Sequence, residues 1–270
     1  MSTSSSHPTQ NLKKVKGAPD YDDAAYWDTK FITGQDVGEW LNKGDLLIER
    51  AINELETQYN TPSIGNGSAT LGQMGTPRAL HLGPGISAVG SKLCEAFGRK
   101  GWKGCDIVNV DFSSEAVRLG LEREIRKTNP EQTMRWIHAD LCSWQDVSQR
   151  LLPLASFDVL LDKSTSDAIA TAVPPLQDLL QDASNFKGPN ETLTLLPVQL
   201  LSLHLVPLTK PGAIWLALSY SSTRFDGLPY LDKYWEVVSR IPLKAPSGQT
   251  LSPAAMVPDV FHWLYTLRRK

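Results

Sequence analysis

Residues 80–87, LHLGPGIS, join a short apolar segment to a glycine-containing turn and then to a helix predicted over 89–97. Gly83 and Gly85 let the backbone pass close to a ligand, and the first turn of the helix presents unpaired N–H groups. A strand, a glycine turn and a helix in this order are typical of a ligand-binding turn. A tight turn without any ligand has the same pattern, so this stretch alone leaves both interpretations open.

Short apolar segments alternate with amphipathic helical segments around this turn. Strands are predicted over 79–82, 107–110, 134–138, 157–161, 213–219 and 261–267, and helices over 114–127 and 195–205. A further helix is predicted to begin after Asp45, with this residue as its N-cap. Strands and helices that alternate in this way indicate βαβ units around a buried parallel sheet. We therefore predict an α/β fold.

The composition is that of a folded protein with little net charge. Its 270 residues are 41% hydrophobic and 21% charged, which suits one large domain or two small ones and excludes a disordered chain. The formal net charge of −2 provides no long-range field for nucleic acid or an anionic membrane, so neither partner is expected. The three cysteines show no CxxC spacing, so we expect no disulfide framework and no metal.

The chain divides into three predicted parts. Residues 1–19 are polar and are predicted to be a disordered tail, 20–78 to form N-terminal lid helices and a loop, and 79–270 to form the main domain. The start of the chain shows no secretory signal, and no apolar run of about 18 residues predicts a membrane helix. Together with the cysteine usage, these features predict a cytoplasmic location.

Two acidic residues follow consecutive predicted strands after the glycine turn. Asp111 ends the second strand, where a carboxylate accepts hydrogen bonds from ribose hydroxyls. Asp140 and Leu141 follow the third strand, where they would contact the edge of an adenine ring. A glycine turn and two acids at three successive strand ends favour a nucleoside-containing cofactor.

Three further stretches resemble the class I S-adenosylmethionine-dependent methyltransferases, and most closely the branch containing the eukaryotic elongation factor 1A lysine methyltransferases. YWDTKF at 26–31 with EWL at 39–41 resembles the YWDxRY…W element of that branch. NVDFS at 109–113 is similar to its second-strand motif, and FDVLLDKSTSDA at 157–168 to its FDVVLDKGTLDA motif. The resemblance implies a Rossmann-like, seven-stranded, mostly parallel sheet with helices on both faces. It also implies an enzyme with S-adenosyl-L-methionine as its cofactor.

The resemblance implies a set of cofactor-binding residues. These are Trp27, Phe31, Trp40, Gly83, Gly85, Asp111, Phe112, Asp140, Leu141 and Lys163. By the family pattern, the glycines pass under the methionine part, Asp111 holds the ribose, and Phe112 lies against the adenine face. Lys163 lies at the pocket beside the end of the fourth strand. The N-terminal aromatic residues form a lid that excludes water and faces the sulfonium cation.

The chain departs from the family pattern at several places. Pro84 stiffens the glycine turn and removes one N–H donor, and Phe31 replaces the commoner tyrosine. His81 stands where the family has an acid or an apolar residue, and we interpret it as a structural residue that hydrogen-bonds to the amino-acid end of the cofactor. Ser164 and Ser166 replace the glycine and leucine of the fourth-strand motif. These replacements alter the wall that faces the substrate.

The sequence does not single out a catalytic residue. Methyl transfer to a neutral nucleophile depends chiefly on alignment in a dry site, so a base is not required. Asp162, Asp167 and Tyr220 are the candidates for orienting the acceptor or taking up a proton.

The first hypothesis for the acceptor is a protein lysine amine, and the alternative is a small molecule. An open acidic groove near Asp162 and Asp167 is expected for the lysine, and a closed apolar pocket for the small molecule. An NAD-type oxidoreductase and an inactive interaction module are the remaining alternatives.

Overall fold

The computed structural model describes residues 19–35, 38–60, 75–172, 195–245 and 259–270. Most of the predicted disordered tail, much of the loop before residue 78 and the polar insertion after residue 172 therefore lie outside the described residues.

A seven-stranded sheet forms the centre of the molecule. Its strands are β1 (Ala79–Leu82), β2 (Ile107–Asp111), β3 (Arg135–His138), β4 (Phe157–Lys163), β5 (Thr209–Ser219), β6 (Trp235–Lys244) and β7 (Phe261–Arg269). The strand order is β3-β2-β1-β4-β5-β7-β6. β1 to β5 pair in parallel, whereas β7 pairs antiparallel with both β5 and β6. The predicted α/β fold with a seven-stranded, mostly parallel sheet is confirmed.

Helices cover both faces of this sheet. They are α1 (Ala24–Thr33), α2 (Asp45–Asn60), α3 (Val89–Arg99), α4 (Ser114–Ile125), α5 (Trp144–Asp146), α6 (Thr165–Ile169), α7 (Pro197–Leu205) and α8 (Pro229–Tyr234). On one face, α2 and α3 pack against Val159 and Leu161 of β4. On the other face, α7 and α8 pack against Leu160 of the same strand. Every residue of β1, β2 and β4 is buried, as expected for strands covered on both sides.

The helix α2 contributes directly to the core. Its residues Ala51 and Leu55 are fully buried against the sheet, although they precede the predicted domain boundary at residue 78. In contrast, α1 has no buried residue. The division of the chain at residue 78 stays a prediction.

Two local features differ from the expectations. Asp45 is the first residue of α2 rather than its N-cap, and it pairs with Lys92 at 2.6 Å. The strand β6 was not predicted, because it lies at the sheet edge with most of its side chains exposed, and Pro242 interrupts its pattern. Trp235 at its start is buried and anchors the strand to the core.

Three further findings concern the described part of the chain alone. None of its helices combines the length and apolar character needed to cross a bilayer. No group of three or more histidine, cysteine, aspartate or glutamate side chains there is arranged to hold a metal ion. Cys94, Cys105 and Cys142 are free thiols.

Gly120 in α4 lies against the indole ring of Trp136 on β3. A Cβ atom at Gly120 would lie 2.3 Å from Cδ2 of that ring. We expect Gly120→Ala to lower the free energy of unfolding by about 1–3 kcal/mol, because the helix or the ring must move. Urea denaturation measures this loss.

Gly98→Ala in α3 is the matched control. Its new Cβ would lie 2.7 Å from Nε2 of Gln132, the movable end of a flexible side chain. The higher helix propensity of alanine should therefore leave stability unchanged or raise it by up to about 1 kcal/mol. Equal losses in the two variants would contradict the close packing of α4 on Trp136.

Candidate functional site

A cavity of about 320 Å³ lies at the carboxyl ends of β1, β2 and β4. This edge of an open α/β sheet is where such folds bind ligands. Most of the predicted site residues line it: Trp27, Phe31, Trp40, Gly83, Gly85, Asp111, Phe112, Lys163, Asp167 and Tyr220. Asp140, Leu141 and Asp162 do not line it.

The glycine turn between β1 and α3 forms the floor of the cavity. Gly83 and Gly85 have φ values of +54° and +51°, in the left-handed region that favours glycine. A Cβ at Gly83 would lie 2.4 Å from Oγ1 of Thr165, and a Cβ at Gly85 would lie 3.1 Å from Cζ of Phe31. The turn is therefore enclosed by α6 on one side and by α1 on the other.

Asp111 connects the end of β2 to this turn. One carboxylate oxygen accepts from the backbone N–H of Gly85 at 2.9 Å, and the other accepts from the N–H of Ser113 at 2.9 Å. Burial raises the pKa of Asp111 to about 6, although these two hydrogen bonds oppose the shift. Each oxygen keeps a second lone pair with which it can accept from a ligand.

Aromatic rings from the N-terminal segment form one wall of the cavity. The aromatic cluster consists of Tyr21, Trp27, Phe31 and Trp40, and all four residues line the cavity. The centroid of the Trp27 ring lies 5.9 Å from that of Tyr21, 5.8 Å from Phe31 and 5.5 Å from Trp40. The indole N–H of Trp27 donates to the carbonyl oxygen of Tyr21 at 2.8 Å. Tyr21 was not among the predicted site residues.

Asp28 attaches α1 to the N-terminus of α4. Its Oδ1 accepts from Oγ of Ser113 at 2.5 Å and from the N–H of Glu115 at 3.0 Å, and its Oδ2 accepts from Oγ of Ser114 at 3.1 Å. Partial burial raises the pKa of the Asp28 carboxyl, but these hydrogen bonds outweigh that effect and lower it below its usual value. The ionised carboxylate thus holds the aromatic cluster in place.

Glu39 attaches the segment 38–41 to the N-terminus of α3. Its Oε1 accepts from the N–H of Ala88 at 2.8 Å, and its Oε2 accepts from Oγ of Ser87 at 2.9 Å and from Nζ of Lys163 at 2.7 Å. Burial raises the pKa of the Glu39 carboxyl, but the hydrogen bonds, above all that from Lys163, lower it overall. Glu39 therefore lines the cavity as an anion next to a buried lysine.

Asp28 and Glu39 were not among the predicted site residues, although they lie in the YWDTKF and EWL stretches. The first N–H groups of a helix have no acceptor within the helix, so an acceptor from elsewhere is expected there. The sequence pattern does not indicate which distant carboxylate meets that need.

The Asp162 carboxylate accepts hydrogen bonds from the backbone and does not line the cavity. It is fully buried, and its Oδ1 accepts from the N–H groups of Thr165 at 2.8 Å and Ser166 at 3.1 Å, which caps α6. Burial raises the pKa of Asp162 to about 6.

Asp167 lines the cavity, but its carboxylate is already fully used. It accepts from the hydroxyl groups of Ser164 at 3.0 Å and Ser219 at 2.5 Å, and from the N–H of Tyr220 at 3.1 Å. It also forms a buried ion pair with Nε of Arg224 at 2.8 Å. Two oxygens that accept from four donors have no further capacity, so Asp167 is a structural residue here.

Tyr220 lies beside this ion pair at the rim of the cavity. Its side chain is 56% exposed, and the guanidinium of Arg224 lies 5.3 Å from the centre of its ring. Tyr220 is thus the remaining one of the three catalytic candidates: it lines the cavity, and its hydroxyl forms no hydrogen bond with the part of the chain that the structure describes.

Asp140 and Leu141 lie beyond the lining of the cavity. Oδ1 of Asp140 accepts from the N–H of Cys142 at 2.8 Å, and its own N–H donates to Asp146 at 2.9 Å, so the carboxylate closes a local turn. The Leu141 side chain is buried in the core, and its carbonyl oxygen lies 2.8 Å from Nδ1 of His204.

This fold is similar to that of solved methyltransferase structures. The N-methyltransferase NodS from Bradyrhizobium japonicum, in complex with S-adenosyl-L-homocysteine, is 14% identical, with a TM-score of 0.50 over 93% of this chain and 99% of that chain. A methyltransferase from Anabaena variabilis is 8% identical, with a TM-score of 0.52 over 98% and 100% of the two chains. No family model and no curated protein matches the sequence. At these identities the likeness shows the fold alone.

Removal of the Asp28 charge should loosen α1 while the core stays intact. We expect Asp28→Asn to speed hydrogen exchange in α1 by about fivefold or more, since a helix cap contributes about 1 kcal/mol. Because the folded state lowers the pKa of Asp28, the docking is complete near neutral pH and weakens as the pH falls through that lowered value.

The control for this prediction is Asp226→Asn, which removes an exposed partner of Arg240. It should leave exchange in α1 unchanged. Equal protection of α1 in wild type and Asp28→Asn would contradict the docking role.

Loss of the Asp167 carboxylate should destabilise the whole protein. We expect Asp167→Ala to cost about 3–5 kcal/mol of unfolding free energy, because Arg224, whose side chain is 11% exposed, loses the carboxylate that pairs with it. The exposed pair of Asp226 and Arg240 offers the matched comparison, and Asp226→Ala should cost less than about 1 kcal/mol. Denaturant unfolding of both variants measures the difference. A stable Asp167→Ala variant would reopen a chemical role for this carboxylate.

Proposed function

We propose that the protein is an S-adenosylmethionine-dependent methyltransferase that binds its cofactor in the cavity at the ends of β1, β2 and β4. The position of Glu39 is the observation that supports this proposal best. In dinucleotide-binding proteins the pyrophosphate lies at the N-terminus of the helix that follows the glycine turn. Here the Glu39 carboxylate occupies that position, 2.8 Å from the N–H of Ala88. A pyrophosphate would meet a negative charge, whereas S-adenosylmethionine has no phosphate.

The lining residues also suit the other parts of the cofactor. Gly83 and Gly85 allow the left-handed backbone that forms the floor of the cavity, and the free lone pairs of Asp111 suit ribose hydroxyls. Phe112 offers a half-buried ring for the adenine face. Asp140 and Leu141 are not used in this proposal, because they lie outside the lining.

When bound, the cofactor supplies a methyl group on a sulfonium cation. The protein's part is to hold that cation in a dry, aligned position. The aromatic cluster provides ring faces that attract a cation and exclude water. Each aspartate among the three catalytic candidates is bound by donors within the protein, so we assign neither a proton-accepting role.

Within this proposal, the lining carboxylates already have binding partners. This favours a small-molecule acceptor over the lysine acceptor of the elongation factor 1A methyltransferase branch. A lysine ammonium group needs a free acidic groove that attracts it and accepts its proton. Among the described lining residues, Asp167 accepts from four protein donors, Glu39 pairs with Lys163, and Asp111 is assigned to the cofactor in this proposal, so none of these carboxylates is left for a lysine acceptor. The rings of the aromatic cluster give the cavity an apolar wall that suits an uncharged acceptor.

Calorimetric titration of the full chain tests the cofactor. We expect S-adenosylhomocysteine to bind and NAD⁺ not to bind. Phe112→Ala should weaken S-adenosylhomocysteine about tenfold or more, because stacking of a base on an aromatic ring contributes about 1–3 kcal/mol.

The matched control is Trp144→Ala, which removes an aromatic side chain that is 45% exposed and lies outside the cavity lining. It should leave the affinity unchanged. Binding of NAD⁺ without a response to S-adenosylhomocysteine would support the oxidoreductase alternative. A chain that binds neither ligand would support the interaction module.

A further inference from the structure

An ion pair between a buried lysine and a partly exposed glutamate lies at one end of the cavity. The side chain of Lys163, at the end of β4, is 5% exposed, and its Nζ lies 2.7 Å from Oε2 of Glu39. Glu39 reaches it from the N-terminal segment, and its own side chain is 31% exposed. Both residues line the cavity beside the glycine turn. The pair therefore presents one positive and one negative group to whatever fills this end.

Within the described ranges of the chain, each member of the pair keeps one hydrogen-bonding position without a partner. Nζ of Lys163 carries three N–H groups, of which one donates to Glu39 and one to the carbonyl oxygen of Trp40 at 3.0 Å. Oε1 of Glu39 accepts from Ala88 alone and keeps a second lone pair, whereas Oε2 accepts from both Ser87 and Lys163. One donor on a cation and one acceptor on an anion thus remain side by side.

His81 adds a neutral acceptor to the same cavity. Its Nδ1 lies 3.0 Å from Oδ1 of Asn109, whose amide nitrogen donates to the carbonyl oxygen of Arg135. The proton of the imidazole is therefore on Nδ1, and Nε2 carries a lone pair without a hydrogen-bond partner among the described residues. Burial lowers the pKa of His81 to about 4, so the ring is uncharged near neutral pH. His81 lines the cavity and adds no charge to the ion pair.

We propose that Glu39 and Lys163 form the recognition site for the zwitterionic amino-acid end of the cofactor. Glu39, with Nε2 of His81 as a neutral second acceptor, receives the α-ammonium group, and Lys163 donates to the α-carboxylate. This inference rests on the proposed function. It assigns Glu39, a residue of the N-terminal segment, a direct contact with the ligand in addition to its contact with α3.

A purely structural role for the pair gives a different expectation. If Glu39 and Lys163 only hold the N-terminal segment in place, their loss weakens every ligand of the cavity by the same factor. If they recognise the zwitterion, each loss removes the selectivity for one charged group of the ligand. The two cases are separated by ligands that lack one charge.

The experiment measures the affinities of S-adenosylhomocysteine, its deaminated analogue and its decarboxylated analogue for the full chain. In wild type, we expect deletion of either charged group to weaken binding about 10- to 100-fold, as for hydrogen bonds to charged groups. In Glu39→Gln, the deaminated analogue should bind less than about threefold more weakly than S-adenosylhomocysteine. The decarboxylated analogue should still be weakened by the same factor as in wild type. In Lys163→Met, the decarboxylated analogue should bind less than about threefold more weakly than S-adenosylhomocysteine, and the deaminated analogue should be weakened as in wild type.

The matched controls are Glu56→Gln and Lys100→Met, which alter a surface ion pair outside the cavity lining. In both controls, each analogue should lose affinity relative to S-adenosylhomocysteine by the same factor as in wild type. Because each readout is a ratio of two affinities within one variant, a general loss of stability or of segment docking cancels.

Two outcomes would overturn the inference, and they are distinguishable. Unchanged deamination and decarboxylation costs in Glu39→Gln and Lys163→Met would leave the proposed function intact and reduce the pair to a structural contact. Failure of wild type to bind S-adenosylhomocysteine would overturn the proposed function itself, and this inference with it.

Discussion

Two contacts between carboxylates and helix N-termini hold the N-terminal segment against the sheet. Asp28 caps α4, which follows β2, and Glu39 caps α3, which follows β1. The two attachments therefore lie next to the strand ends that carry Asp111 and the glycine turn. The aromatic cluster occupies its position over Gly85 because both contacts are made. One wall of the cavity thus depends on two ionised side chains.

These contacts are weaker than those that hold the rest of the fold. A helix cap contributes about 1 kcal/mol, whereas each large apolar side chain that is buried contributes about 1.5–3 kcal/mol. The helix α2 has the second kind of attachment, with Leu47 and Leu55 buried in the core. The helix α1 has no buried residue, so the aromatic cluster can separate from the cavity without unfolding the sheet. Because Phe31 lies against the glycine turn, such a separation would also expose the floor of the cavity.

The sequence indicated those parts of the structure that depend on local pattern. The apolar runs of β1, β2 and β4 predicted the parallel sheet, and the end of the second strand predicted Asp111 as a site residue. Lys163 was predicted from the resemblance to the methyltransferase family alone. The strand β6 was missed, because an exposed edge strand carries no apolar alternation. Asp140 also follows a strand, but its carboxylate closes a local turn. The contacts of Glu39 join residues far apart in the chain, and no pattern within a short window reports them.

The carboxylate next to Lys163 lies on the N-terminal segment, and its position there couples ligand binding to the docking of that segment. In the methyltransferase branch that the sequence resembles, an acid or an apolar residue stands at the position of His81 on the first strand. An acid on a strand would face the cavity whether or not the N-terminal segment is docked. Here the strand supplies a neutral imidazole, and the carboxylate next to Lys163 comes from Glu39 on the segment itself. Under the proposed recognition, the ligand binds the docked state more tightly than the open state and stabilises docking by the same free energy. Ligand binding and closure of the aromatic wall are then a single coupled equilibrium.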